Sequence, residues 1–152
     1  GELSYTAKYK MGLKDGTWNY FYKDGSKFKV GNFSNDEKHG LWETWYENGK
    51  LLMSGKYING KEEGVWINNW DNGKLKNTTT FKQGVLHGEW KSYTYNGSLK
   101  LTGFYKNGHK NKAWIEYFEN GRQKDISHYK VVKIKSEIKY GPMKGRVRYE
   151  SV

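Results

Sequence analysis

The chain has 152 residues, a net charge of +11, no cysteine and a mean hydropathy of -1.03. The absence of a long apolar run excludes a transmembrane segment, and the absence of cysteine excludes disulfides, thiolate metal sites and cysteine nucleophiles. Hydrophobic residues make up 35% but aromatic residues 17%, so we expect a sheet whose core is Trp, Tyr and Phe.

A degenerate half-unit over residues 1–15 is the first predicted element, and a 24-residue repeat follows it. Five tryptophans and five turn glycines recur at this interval, each glycine preceded by Asp or Asn. They are Trp18, Trp42, Trp66, Trp90 and Trp114, with Gly25, Gly49, Gly73, Gly97 and Gly121. A third series is aromatic, and consists of Tyr9, Phe33, Tyr57, Phe81, Tyr105 and Tyr129.

Each unit is predicted to hold two strands, which in the third unit cover residues 50–58 and 65–70. Asn48-Gly49 and its equivalents indicate two-residue type I′ turns, because both central residues of that turn need positive φ. The other connection, residues 59–64, has glycine at both ends and predicts a longer polar loop. Gly55 is expected to make room for a neighbouring indole.

Four positions depart from the repeat and predict local irregularity. Thr79 stands where other units have glycine, which predicts an irregular junction of the third and fourth units. Lys112 replaces another repeated glycine, which predicts an irregular loop in the fifth unit. Asn69 and Thr94 replace aromatic residues of the repeat.

These elements predict an all-β fold, an elongated antiparallel meander of tandem 24-residue hairpins with about ten strands plus end caps. At a strand spacing of roughly 4.8 Å the meander extends some 50 Å. A single domain spans residues 1–152, with repeats over 5–130. Residues 131–152 are strongly basic and are interpreted as a cap on the open sheet edge, with a basic binding tail as the alternative.

The pattern Gly-x-Tyr-x-Asn-Gly-Lys, Gly-x-Trp, Tyr-x-x-Asn-Gly-Lys-Leu runs through residues 55–75 and is echoed at 31–51 and 103–121. It closely resembles the bacterial variant of the MORN repeat, the membrane occupation and recognition nexus. The resemblance covers residues 5–130 and implies a β-hairpin array that serves as a protein-interaction scaffold. Arrays of the YwqK-type antitoxin family are similar, which implies a toxin-neutralising role, and so are secreted or surface arrays.

No motif predicts an enzyme, a cofactor or a metal site. His39 and His87 occupy equivalent loop positions about 19 Å apart and cannot share a metal. Acidic turn residues recur about 10 Å apart, wider than the carboxylate pairs of glycoside hydrolysis. No nucleophile elbow or phosphate loop occurs in the sequence.

The predicted partner-binding row lies on the sheet face opposite the tryptophans and consists of Phe21, Trp45, Tyr93 and Tyr117. In the alternative interpretation these rings pack against first-strand residues such as Leu52, Ile58 and Phe104. A protein partner is the leading hypothesis. The alternatives are a polyanion, meaning nucleic acid, acidic glycan or anionic lipid, and a structural spacer.

Location and oligomeric state stay open at this point. The chain begins at Gly1 without an apolar leader, so we expect a trimmed or mature piece of a protein. Both an intracellular and a secreted or cell-surface location are compatible with that.

Overall fold

A single antiparallel meander makes up almost all of the described chain. The computed structural model describes residues 4–131 and 149–150, and no helix occurs among them. The strands are β1 (Ser4–Thr6), β2 (Tyr9–Lys10), β3 (Leu13–Lys14), β4 (Gly16–Phe21), β5 (Lys27–Ser34), β6 (Glu37–Trp45), β7 (Leu51–Ile58), β8 (Lys61–Asn69), β9 (Leu75–Lys82), β10 (Val85–Tyr93), β11 (Leu99–Lys106), β12 (His109–Tyr117), β13 (Gln123–Val131) and β14 (Tyr149–Glu150). One sheet contains β1 and then β4 to β14 in chain order, while β2 and β3 pair separately. The predicted fold class is therefore confirmed.

The repeated tryptophans and glycines build one face of the sheet, which we call the Trp face. Trp42 in β6 folds over Gly31 in β5, and a Cβ atom on Gly31 would overlap the indole. Trp66 covers Gly55 in the same way, which confirms the predicted role of that glycine. The tryptophans of four units, Trp18, Trp42, Trp66 and Trp114, are only 4–5% exposed, so a single-layered sheet still gains a buried core.

Aromatic side chains of the first strands complete this core. Phe33 packs edge-on against Trp42 with ring centres 5.1 Å apart, and Tyr57 packs against Trp66 at 4.9 Å. Edge-to-face pairs of this kind stabilise by about 0.5–1.5 kcal/mol beyond the area they bury. The third aromatic series is thus the second component of the core.

The two connections of each unit are the reverse of those predicted. Asn59 and Gly60 join β7 to β8 and both have positive φ, 48° and 76°, as a two-residue type I′ turn requires. At Asn48-Gly49 only the glycine is left-handed, with φ 81°, and its N–H donates to the carbonyl of Tyr46 at 2.9 Å. That connection is a type I turn closed by a left-handed glycine, the G1-bulge turn.

The glycines expected at the end of a polar loop lie inside strands instead. β8 begins at Lys61, four residues earlier than predicted, and Gly64 lies within it at φ 75°. The pairing of β8 with β7 shifts there, so that Gly64, Val65 and Trp66 stand opposite Gly55 alone. This bulge turns the indole over the neighbouring strand.

Of the two predicted irregularities, the one at the junction of the third and fourth units is present, whereas the fifth unit keeps the register of the third, so the prediction of an irregular loop there was wrong. Where Thr79 replaces glycine, the bulge of β10 moves by one residue and lies opposite Thr80. Trp90 is then only half-buried, and within the described chain its ring makes no contact with Phe81. In the fifth unit Lys112 adopts φ 63°, a conformation that costs a residue other than glycine about 1–2 kcal/mol.

An incomplete unit precedes the repeats, as expected. β1 pairs with β4, and the hairpin of β2 and β3 turns at Met11-Gly12. The predicted C-terminal cap over residues 131–152 lies outside the described residues, apart from Val131 and β14. β14 pairs with β13 through Val131 and Tyr149.

Candidate functional site

The face opposite the tryptophans, which we call the open face, is not covered by a helix or a second sheet in the described chain. One row of directly paired residues crosses it from β4 to β13. The row is Asn19, Val30, Glu43, Ser54, Ile67, Thr78, Lys91, Thr102, Ile115 and Ile126. Leu41 and Val65 on this face are 52% and 60% exposed. The open face is therefore a mixed surface with solvent-exposed apolar side chains.

All four predicted partner-binding residues are strand-terminal. Phe21, Trp45, Tyr93 and Tyr117 are the last residues of β4, β6, β10 and β12. Each follows a row residue by two positions, which keeps its side chain on the open face. All four are half-buried. They form a line of partly accessible rings, with about 10 Å between Phe21 and Trp45 and between Tyr93 and Tyr117, and about 19 Å between Trp45 and Tyr93.

Asn69 interrupts this line in the third unit. Its side-chain Nδ2 donates to the main-chain carbonyl of Leu51 at 3.2 Å. Its main-chain carbonyl accepts a hydrogen bond from the hydroxyl of Tyr46 at 2.7 Å. The interruption leaves two aromatic pairs, one at each end of the open face. In the first pair the ammonium of Lys27 lies 5.7 Å from the centre of the Trp45 ring.

A lysine lies beside the second aromatic pair. Lys91 and Glu89 form an ion pair at 2.9 Å, and this hydrogen bond is the main cause that raises the pKa of Lys91. The negative charge that Tyr93 and Tyr117 carry once they ionise raises this pKa further. The two phenol rings of this pair thus lie next to a lysine whose charge is held in an ion pair with Glu89.

Other lysines contact tryptophan rings on the Trp face. The ammonium of Lys38 lies 4.7 Å from the centre of the Trp42 ring, and Lys14 and Lys110 lie 5.0 and 4.4 Å from the tryptophans of their own units. Burial is the main cause that lowers the pKa of Lys38, and the charge of Lys29 lowers it further. Cation–π contacts of this kind stabilise the repeat.

His39 and His87 lie in strands β6 and β10, so their prediction as loop residues was wrong. The N–H of Asn59 donates to Nδ1 of His39 at 3.5 Å, and that of Asn107 donates to Nδ1 of His87 at 3.3 Å. These histidines connect one unit to a turn of the next. Among the residues that the structure describes, no cluster of His, Cys, Asp or Glu could hold a metal ion.

Two shallow depressions of about 470 and 540 Å³ lie side by side at the tips of the type I′ hairpins. Lys61, Lys82 and Gln83 line both of them. Glu37 and Glu63 line the first as well, so its charges are mixed. The predicted partner-binding residues do not line either depression.

The distribution of charge is the feature that the sequence analysis missed. Residues 1–73 carry ten basic and ten acidic side chains, whereas residues 74–130 carry eleven basic and four acidic ones. In the described chain only Lys91–Glu89 and Lys124–Glu116 form ion pairs. Counting charges by halves would have located the excess in β9 to β13.

A single-layered array of hairpin units with an uncovered face defines a tandem-repeat β protein. The MORN repeat variant matches residues 38–59, 62–83 and 86–107. The chain therefore carries three tandem MORN-type repeats, each of which joins a Trp strand through a G1-bulge turn to the following strand.

Comparison with solved structures adds a distant likeness. The chain aligns with a structure described as "Crystal Structure of TarM" at 14% identity and a TM-score of 0.41, over 71% of this chain and 20% of that one. No curated protein matches the sequence. None of the described segments folds into a helix of the length and apolar character needed to cross a membrane.

Proposed function

We propose that the chain is a non-enzymatic protein-interaction module whose partner binds the aromatic row of the open face. The observation that supports this most directly is the row itself, Phe21, Trp45, Tyr93 and Tyr117, half-buried on a sheet face that no second layer covers within residues 4–131. Rigid aromatic rings lose little conformational entropy on binding and are enriched among residues that dominate binding energy. Lys27 and Lys91 next to the rings add polar contacts.

The class of partner follows from the resemblance to antitoxin-type and surface arrays. We propose a protein toxin or a cell-surface protein as the partner to test first. The exposed apolar side chains of Leu41 and Val65 extend the row across the open face, so a partner there buries apolar area as well as aromatic rings.

The test begins with a partner identified by cross-linking to the purified chain and then purified itself. Its dissociation constant is measured for the wild type, Trp45→Ala and Tyr117→Ala. We expect each loss to weaken binding by about tenfold or more. Phe118→Ala is the matched control, because Phe118 is equally aromatic and 49% exposed but lies in the turn beyond the row.

Two results would count against this proposal. Equal binding by the row variants and the wild type, with unchanged circular dichroism, would remove the row as the binding surface. Turnover of a small substrate that a single point mutation abolishes would contradict the non-enzymatic assignment.

The charge distribution favours a second candidate, direct binding of a polyanion by β9 to β13. Eleven basic against four acidic side chains, and few ion pairs to neutralise them, create a positive field over this half. Binding to heparin or single-stranded DNA should then fall steeply with salt. Lys100→Glu with Lys106→Glu should weaken it much more than Lys56→Glu with Lys61→Glu, and a flat response to salt would exclude this candidate.

A further inference from the structure

Six Asn-Gly dipeptides occur in the chain, and glycine leaves the main-chain nitrogen that follows each asparagine sterically unhindered. Asn48, Asn72, Asn96 and Asn120 occupy the same position of the G1-bulge turn. In all four turns the glycine N–H donates to the carbonyl three residues earlier, at 2.8–2.9 Å. The glycine nitrogens are therefore equivalent, and differences in reactivity must come from the asparagine side chains.

Three of these side chains are held by hydrogen bonds. Nδ2 of Asn48 and of Asn72 donates to a carbonyl of the next unit at 2.7 and 2.8 Å. Their Oδ1 atoms accept the N–H two residues further on, at 3.0 and 2.9 Å. Oδ1 of Asn120 accepts the N–H of Arg122 at 3.0 Å. These bonds must break before the side-chain carbon can reach the glycine nitrogen.

Asn96 lacks both restraints, and a neighbouring substitution explains the loss of the one at its oxygen. Thr94 stands where the other units have Tyr, Trp or Phe, and its Oγ1 accepts the N–H of Ser98 at 3.1 Å. In the turns of Asn48, Asn72 and Asn120, the equivalent N–H, two residues after the asparagine, donates to the asparagine Oδ1 instead. Asn96 is exposed, and its side chain makes no hydrogen bond in the described chain.

We propose that Asn96 is a site of spontaneous deamidation, which proceeds faster than at the three equivalent turns. The nitrogen of Gly97 loses its proton and attacks Cγ of Asn96, a C–N bond forms, the Cγ–Nδ2 bond breaks, and the amide nitrogen takes up a proton and leaves as ammonia. Water then opens the succinimide ring at either carbonyl, which gives aspartate or isoaspartate. The net charge of the basic half falls by one unit.

The fold already holds an aspartate turn of this sequence. After formation of aspartate the turn reads Asp-Gly-Ser, as residues 24–26 do. There Oδ1 of Asp24 accepts both the N–H and the hydroxyl of Ser26. Isoaspartate instead lengthens the main chain by one atom and disrupts the turn, so the two products differ in their effect on stability.

The experiment is peptide mapping by mass spectrometry after incubation of the folded chain at neutral pH. Trypsin releases residues 92–100, 39–50 and 113–122 as separate peptides with one asparagine of this class each. Deamidation adds about 1 Da to a peptide. The deamidation rates at the same asparagines are also measured with the chain unfolded in urea. These rates correct for the effect of the different residue that follows each glycine.

After that correction Asn96 should react about fivefold faster than an asparagine held by one hydrogen bond. Thr94→Val removes only the hydroxyl, which frees the N–H of Ser98 for the Asn96 oxygen, so the rate at Asn96 should fall about fivefold. Thr102→Val is the control, because Thr102 lies in β11 outside the turn. Equal corrected rates at Asn96, Asn48 and Asn120, or an unchanged rate in Thr94→Val, would overturn the proposal.

Discussion

Trp42 lies so close over Gly31 that its indole occupies the place where any other residue would carry a Cβ atom. The two residues face each other across the type I′ hairpin of β5 and β6. On its other side Trp42 pairs directly with Gly55, over which Trp66 folds in turn. Each indole therefore joins two hairpin units, and the interlocking is repeated along the sheet.

Gly31→Ala should destabilise the chain by about 3 kcal/mol, because the added methyl group and the indole cannot occupy the same space. Gly25→Ala is the matched control. Gly25 has φ 85° and open space around it, so this variant should lose only about 1 kcal/mol of stability, because of backbone strain. Urea denaturation followed by tryptophan fluorescence measures both, and equal losses would mean that the indole moves aside freely.

Lys112→Gly should stabilise the chain by about 0.5–1.5 kcal/mol. Glycine removes the cost of a left-handed lysine, about 1–2 kcal/mol, but loses the contact of the ammonium with Phe104 at 4.2 Å, about 0.5 kcal/mol. Gly64→Ala, at the equivalent position with φ 75° and no neighbouring atom, should destabilise by about 1 kcal/mol. Thermal melts of the two variants should shift in opposite directions.

Gln83→Asn should stabilise the chain by a few tenths of a kcal/mol, roughly 0.3–0.5. Gln83 is the first residue of a type I′ turn and has φ 50°, a conformation that asparagine tolerates better than glutamine. The reverse change, Asn59→Gln, places glutamine in the equivalent turn and should cost a similar amount. A change of the same sign in both variants would show that the turn conformation is not the cause.

The turn carboxylate Asp24 should titrate below its ordinary range. The hydrogen bonds from Ser26, first from its hydroxyl and then from its N–H, lower the pKa of Asp24 below 3.8. A lowered pKa in the folded state means that this contribution to stability is present above pH 3.8 and is lost as the pH falls through the folded value. NMR titration of Ser26→Ala should find the pKa moved upward, and an unchanged pKa would exclude the hydroxyl as the main cause.

The fold could be predicted from the sequence because its core depends on a few residue types at a constant interval. Trp18, Trp42 and their equivalents each need a small residue beside them, and the two series together define the sheet. Thr79 could be recognised as irregular for the same reason, whereas Lys112 keeps the left-handed conformation of the glycine it replaces. Alternation along each strand also sufficed to assign Trp45 and Tyr93 to the open face.

The turns could not be assigned because their type depends on contacts with the next unit. Asn-Gly-Lys occurs at both 48–50 and 59–61, yet the two turns differ. Asn48 donates to a carbonyl 23 residues away, whereas the N–H of Gly60 donates to the carbonyl of Lys38. Local sequence contains no information on these partners. The half-buried state of the candidate row likewise depends on neighbouring strands.

The substitution of Thr79 affects more than the packing of one indole. The contacts of the core tryptophans end at Phe81 and resume at Trp90, so hairpin β9–β10 lacks the ring contact that Trp42, Trp66 and Trp114 make within their own hairpins. Trp70 and Tyr95 still link the third and fourth units, with ring centres 5.8 Å apart. The interruption coincides with the point at which the balanced charge of residues 1–73 gives way to the basic excess of residues 74–130, so a partner that binds across hairpin β9–β10 meets both charge environments.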